Sequence, residues 1–160
     1  MTTIRNAQWI VWLAVGILTA TSYWAMSGVP DGELKFKAQL IWGTDYEKPA
    51  NNPKIKELDK KLREKIRKVK IFRWKNYFEV DQENFSVRPH QSAITSMSHK
   101  CVIELKHLDK NDVEVRLYGQ GQLVNTVRQC LPRGEYLLLA GDDKDKYNDM
   151  WIVAISRSDP

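Results

Sequence analysis

The spacing of hydrophobic and polar residues predicts short strands over most of the chain. Every second residue from Leu34 to Trp42 is apolar, which is the period of a strand with one buried face. Short strands about ten residues apart, separated by turn residues, predict a mainly β domain over residues 34–160, an antiparallel β-sandwich or barrel. The strand-length segments in the last third of the chain are 101–107, 113–118, 122–130, 135–140 and 150–156.

The middle of the chain is less regular. Dense aromatic residues at 70–74 and 77–80 predict two strands, and the polar residues 81–84 predict a hairpin turn. Residues 88–100 are polar and rich in Ser, which favours a loop with at most a short extended piece. The run 135–140 is more uniformly apolar than the other segments, so we expect it in the centre of a sheet.

One segment has the period of a helix. Asn52 is the predicted N-cap, and Pro53 is the first residue of a single amphipathic helix over residues 53–69. Its apolar residues recur every three or four positions and form one stripe, which we expect to pack on the sheet. The stripe consists of Ile55, Leu58, Leu62, Ile66 and Val69.

The N-terminal stretch is apolar without strand alternation. Residues 9–26 contain no Asp, Glu, Lys or Arg over 18 positions. A helix of that length spans roughly 27 Å, close to the thickness of a bilayer core. Aromatic residues stand at both ends, as they do at the two interfaces of a membrane helix. They are Trp9, Trp12, Tyr23 and Trp24. The pattern predicts a transmembrane anchor after a short tail at 1–8 and before a linker at 27–33.

The surroundings of this stretch bear on its topology. Gly16 and Ala20 lie four residues apart and offer a small surface for a second helix. Arg5 precedes the span and Asp31 follows it, so the positive-inside rule places the domain outside the cell membrane, on the extracytoplasmic or periplasmic side. The alternative is a signal peptide cleaved near Ser27, which would release a secreted protein.

Charge is concentrated at the predicted helix. The chain has a formal net charge of +5, and residues 54–70 hold nine Lys or Arg against three Asp or Glu. Such a local excess differs from a protein-wide nucleic-acid field, and we expect no nucleic-acid partner. Lys56, Lys60 and Arg67 form a candidate contact face for anionic lipid or an acidic partner. The narrow apolar stripe favours the alternative, a solvated helix with a structural role.

The two cysteines, Cys101 and Cys130, are too few for a disulfide scaffold or a four-ligand zinc site. An extracytoplasmic location favours a disulfide between them. In a simple meander, however, they would lie at opposite ends of a sheet, and a bridge requires Cα atoms within about 7 Å. A bridge therefore requires a strand that crosses to a second sheet.

The sequence contains no catalytic or metal-binding motif. His90, His99 and His107 lack the spacing of a zinc site or of a hydrolase signature. The acidic run that starts at Asp143 departs from an EF-hand at the glycine position and at the final carboxylate position. We therefore expect no metal, no cofactor and no enzymatic activity.

These patterns leave two functional hypotheses. The first is a single-pass membrane protein whose β domain is an interaction or assembly module, such as an accessory subunit of an envelope complex with protein partners. The second is a secreted or tethered β-sandwich that binds a small ligand or glycan between its sheets. A deep pocket lined by aromatic residues would favour the second. A cluster of His99, Cys101 and His107 around one cleft would instead indicate an enzyme.

Overall fold

Nine strands and one helix make up the part of the chain that the computed structural model describes, residues 32–49, 52–141 and 147–158. Two antiparallel sheets have the orders β2-β3-β1-β9-β8 and β4-β5-β6-β7. The predicted mainly β domain with two sheets and one helix is confirmed. In chain order the elements are β1 (Leu34–Thr44), β2 (Lys56–Glu57), α1 (Lys60–Lys68), β3 (Asn76–Val87), β4 (Ser92–Ser98), β5 (Cys101–His107), β6 (Asp112–Gly119), β7 (Gln122–Cys130), β8 (Tyr136–Ala140) and β9 (Met150–Arg157).

The predicted tail at 1–8 and the anchor at 9–26 lie outside the described residues, as does the linker up to residue 31. The same holds for the residues on which the anchor prediction rests, Trp9, Trp12, Gly16, Ala20, Tyr23 and Trp24. Within the described part of the chain, no helix is long and apolar enough to cross a membrane.

The two sheets are connected at two corners. The chain passes from β3 to β4 through residues 88–91 and from β7 to β8 through residues 131–135. The last strand, β9, then pairs antiparallel with β1 beside the starting point. Apart from β2, the strands thus follow one another around the sandwich, and sequence neighbours are also neighbours in space.

The main core lies between the sheets. Strict alternation along β1 directs Phe36, Ala38 and Leu40 into this space, where they are at most 4% exposed. Ile103 and Val115 approach them from the second sheet. Fully burying one such side chain contributes about 1.5–3 kcal/mol, so this layer supplies most of the driving force for folding.

The helix forms a third layer on the outer face of the five-stranded sheet. Leu62 and Ile66 are fully buried there and pack in one cluster with Ile152 and Ala154 of β9. This layer explains why β8 is apolar along its whole length and not only at every second position. One face of β8 contacts the inter-sheet core, and the other contributes to the helix cluster. The prediction of a central strand at 135–140 is wrong, because β8 is an edge strand covered on both faces.

The helix begins later than predicted. Asp59 is the N-cap, and its Oδ1 accepts the Leu62 N–H at 3.1 Å. The predicted cap, Asn52, instead accepts the Lys54 N–H in a local turn. After this turn the chain is extended at Lys56 and Glu57, which pair with β3. The apolar stripe is nevertheless correct from Leu58 to Ile66, because burial of that face does not require the extra helical turns.

The structure departs from three further predictions in the middle of the chain. The aromatic segment 70–74 is not a strand. It follows the end of the helix, and its Phe72 and Trp74 are buried in the same cluster as Leu62 and Ile66. Residues 81–84 are not a turn, because they lie within β3, which is 12 residues long and pairs with β1. Their polar side chains lie mostly at the solvent-exposed surface, which accounts for a polar run within a strand. The polar segment 88–100 contains the full strand β4.

Candidate functional site

An open cleft separates the two sheets at one end of the sandwich. Its volume is about 890 Å³. Residues of β1, β3 and β9 form one wall, and the first residues of β5 and β7 and the last residues of β6 form the other. Leu40 and Val153 lie at its base and continue the inter-sheet core. The volume lies in the range of small-molecule binding sites.

A row of three aromatic side chains stands beside the mouth of this cleft. Phe78, Trp42 and Trp151 are direct register partners across β3, β1 and β9. The centroid of the Trp42 ring is 5.8 Å from that of Phe78 and 6.5 Å from that of Trp151, and the two indoles stack with an interplanar angle of 21°. Trp151 lines the cleft and is 48% exposed. Such a half-exposed ring favours contact with an apolar surface.

A hydrogen bond to the connection between β8 and β9 fixes the Trp42 ring in place. Its Nε1–H donates to Oδ2 of Asp149 at 2.9 Å, and Asp149 is only 4% exposed. A hydrogen bond to a buried carboxylate constrains the ring more strongly than packing alone. The hydrogen bond therefore holds the aromatic row in a defined orientation.

The facing wall is more varied in composition. Cys101, Leu117 and Val124 line it. A tight hairpin connects β6 to β7 at the rim, with Gln120 and Gly121 both at positive φ, 52° and 81°. Two successive residues in this region form the hairpin turn whose twist matches that of the strands, and glycine adopts it without strain. This two-residue turn keeps the connection at the rim of the cleft, next to Val124, short.

The opposite end of the sandwich is filled. Leu34, Val87 and Leu131 are buried there in the inter-sheet core. The Leu131 N–H donates to the Asn111 carbonyl at 2.8 Å, and Arg157 donates to the Asn111 side chain. These contacts hold the sheets together at that end, so the cleft is confined to the other.

The structure separates the three residues whose clustering would have indicated an enzyme. His99 and Cys101 line the cleft, but His107 is buried at the far end of β5, where its Nε2 lies 3.0 Å from the Lys110 carbonyl oxygen. Burial raises the pKa of the Cys101 thiol, which disfavours the thiolate that a nucleophilic cysteine requires. Elsewhere in the chain, His90 is exposed at the β3–β4 corner.

The cysteines are both free thiols. Cys101 pairs with Gly119 at one end of β6, and Cys130 pairs with Asp112 at the other. A bridge between them is therefore not formed, because β4 to β7 remain in one sheet as a plain meander. In the described parts of the chain, no three His, Cys, Asp or Glu side chains come together as metal ligands.

The candidate basic face is only partly brought together. Lys56 is exposed on β2, whereas Lys60 and Arg67 lie seven residues apart on one side of α1. Arg67 lines a small polar pocket with Arg63 and Lys75, a grouping that sequence reasoning missed. The four-residue spacing of Arg63 and Arg67 places both on one face of the helix and could have indicated half of this pocket. Lys75 lies beyond the loop that follows the helix, so the pattern did not indicate its position.

The outer face of the four-stranded sheet carries a line of charges that was also missed. Glu114 accepts hydrogen bonds from its register partner Arg128 at 2.6 Å and contacts Arg116 at 2.9 Å. Arg116 also lies 3.4 Å from Glu104 on the next strand. The hydrogen bond from Arg128 lowers the pKa of Glu114, and the charge of Arg116 adds to the effect. This network ties three strands together, and it reaches one residue of the cleft lining, because the Tyr118 hydroxyl donates to Oε2 of Glu104 at 3.1 Å.

Comparisons of the chain with protein-family models, with curated proteins and with solved structures find no match.

Proposed function

We propose that the β domain binds a small apolar molecule in the cleft between its sheets. The observation that carries this proposal is the cleft of about 890 Å³, with Leu40, Val153 and Trp151 on one wall and Leu117 and Val124 on the other. Apolar walls release water when an apolar ligand enters, and this release drives binding. Polar groups lie at the rim, as in many ligand pockets, where they set orientation.

The proposed ligand is an acyl or aromatic group rather than a glycan. Sugar sites need several polar partners aimed at hydroxyl groups, whereas the base of this cleft is formed by Leu40, Leu117 and Val153. The Trp151 ring lines the cleft and would present an apolar surface to the incoming molecule, and Trp42 stacks against it. In this role residues 9–26 anchor the domain at the outer side of the cell membrane, close to a source of apolar molecules.

The two cysteines offer a direct test with an internal control. Cys101 lines the cleft, and Cys130 is exposed at the opposite end of the sheet. Alkylation of each thiol by N-ethylmaleimide is followed by mass spectrometry in the full-length protein, with and without 1-octanol. At a free octanol concentration ten times its Kd, the alkylation rate of Cys101 should fall about tenfold while that of Cys130 stays constant.

A pair of matched variants completes the test. Val124→Trp places a large ring in the cleft and should abolish the protection of Cys101 by octanol. Ile94→Trp adds the same ring at an exposed position of β4, outside the cleft lining, and should leave protection intact. Equal alkylation of Cys101 with and without octanol, at saturating concentration, contradicts the proposal.

A second candidate function is docking of a protein partner along β7. This strand is the edge of its sheet, and Leu123 and Val124 near its start are 57% and 45% exposed. An extended segment of a partner could add a strand there, which matches the assembly role expected from the sequence. Thr126→Lys, in the middle of β7, should prevent such pairing and leave octanol binding unchanged.

A further inference from the structure

A small polar pocket lies between α1 and the first residues of β3. Its volume is about 90 Å³, roughly three times the share of a water molecule in the liquid. Arg63 and Arg67 of the helix line it together with Lys75 and Tyr77. It shares no lining residue with the cleft, so what it binds is independent of the proposed apolar ligand.

The charges around this pocket are unbalanced. Three cationic side chains line it, and among the described residues Glu57 is the one carboxylate that does so. Glu57 lies 3.7 Å from Nη2 of Arg63, a long contact for an ion pair. A second carboxylate, Asp45, lies nearby, and its Oδ1 accepts the backbone N–H of Lys75 at 3.0 Å. Three cations against two carboxylates leave a net positive charge at the pocket.

The guanidinium groups retain donors for a ligand. Arg63 uses Nη2 for the Leu58 carbonyl at 2.8 Å, but its Nε–H is buried and has no hydrogen-bond partner within the described residues. Arg67 contacts the Lys75 carbonyl only at 3.4 Å. Because these arginines are four residues apart, they project from the same face of the helix toward the pocket. Paired guanidinium forks suit the oxygens of a tetrahedral anion.

We propose that this pocket binds a phosphate group. The small volume admits one phosphate but no base or sugar, so any larger part of the ligand stays in solvent. Arg63 and Arg67 would hold phosphate oxygens with forked hydrogen bonds, and the Lys75 ammonium would add a point charge from the opposite side. A phosphate monoester, a phospholipid headgroup and free phosphate share this chemistry.

Calorimetric titration of the full-length protein tests the proposal at constant ionic strength. The probes are inorganic phosphate, glycerol 3-phosphate as a monoester and glycerophosphoglycerol as an anionic headgroup diester. Arg67→Gln combined with Lys75→Gln removes two exposed cations from the pocket. Lys68→Gln combined with Lys70→Gln removes the same charge from exposed positions outside the pocket lining. Equal melting temperatures of the two double variants show that both are folded.

The wild type and the Lys68/Lys70 variant should bind phosphate with the same Kd, and the Arg67/Lys75 variant should bind about tenfold more weakly or worse. Tighter binding of the diester than of the monoester assigns the site to a lipid headgroup, and the reverse order assigns it to a free monoester or phosphate. Equal weakening in both double variants would show only general attraction to the basic segment and overturn the proposal. The absence of saturable binding to all three probes would overturn it as well.

Discussion

Trp42 connects the structural core to the candidate site through one side chain. Its ring stacks between Phe78 and Trp151, and its indole nitrogen donates to buried Asp149. The neighbouring Trp151 is half-exposed at the cleft. The two tryptophans in this row thus differ, since Trp42 is fixed by its hydrogen bond to Asp149, whereas Trp151 lines the cleft with about half of its surface exposed.

The two tryptophans should respond differently to the same change. Trp42→Phe retains an aromatic ring but removes a donor to Asp149, so the free energy of unfolding should fall by about 1.5–3 kcal/mol. Trp151→Phe should change it by less than about 0.5 kcal/mol, because that ring is half in solvent. Urea unfolding followed by circular dichroism measures both. Equal losses in the two variants would contradict the separation of roles.

Glu114 gives a prediction about pH. Because its pKa is lowered in the folded protein, mainly by Arg128, its contribution to stability is present at neutral pH and is lost as the pH falls through the lowered value. Glu114→Gln should therefore lower the melting temperature most at neutral pH. The difference from the wild type should shrink in acid. A difference that is constant from pH 7 downward, or that grows in acid, would exclude this role.

At the scale of elements, the helix shows which parts of a pattern are informative. The stripe Leu58, Leu62 and Ile66 identified the buried face because burial follows the period of the helix. The start was wrong by seven residues, since Pro53 and Asn52 suit a turn as well as a helix N-terminus, and pairing of Lys56 with β3 decided between them. The polar strand β4 was missed for a different reason, because Met97 is the one buried residue of this strand and leaves little apolar alternation to detect.

The helix layer makes a measurable contribution to stability. Leu62 is fully buried, so Leu62→Ala should lower the free energy of unfolding by about 2–4 kcal/mol through lost contacts and a cavity. Lys60→Ala, on the exposed side of the same helix, should change it by less than about 0.5 kcal/mol. Chemical denaturation of the two variants provides the comparison. Small, equal effects would mean that the stripe does not support the sheet.

At the scale of the whole molecule, the sequence predicted the class of fold but not the cleft. Alternation placed Leu40 and Leu117 on the apolar faces of their strands, yet it could not show that the space between the sheets is left open at one end. That depends on the register of strands distant in sequence, such as Trp42 opposite Trp151. In the other sheet, the registers of β5, β6 and β7 place Cys101 and Cys130 at opposite ends, as expected for a simple meander.

The membrane anchor is a separate prediction of the whole chain. Residues 9–26 are uncharged and flanked by tryptophan, and bulky Tyr23 and Trp24 precede the cleavage position near Ser27. We expect the mature protein to retain these residues and to stay with the membrane fraction after a carbonate wash. N-terminal sequencing of the natural protein decides the matter. A mature chain that starts near Gly28 would show that the stretch is a cleaved signal.

The central claim is that an apolar ligand enters the cleft, and methyl NMR of the full-length protein, labelled at Leu and Val, tests it most directly. On titration with 1-octanol, the methyl signals of Leu40, Leu117 and Val153 should shift and saturate together, because these residues line the cleft. Those of Leu62 under the helix and Leu131 at the filled end should stay in place. Shifts confined to residues outside the cleft, or no saturable shift at Leu40, Leu117 and Val153, would contradict the account.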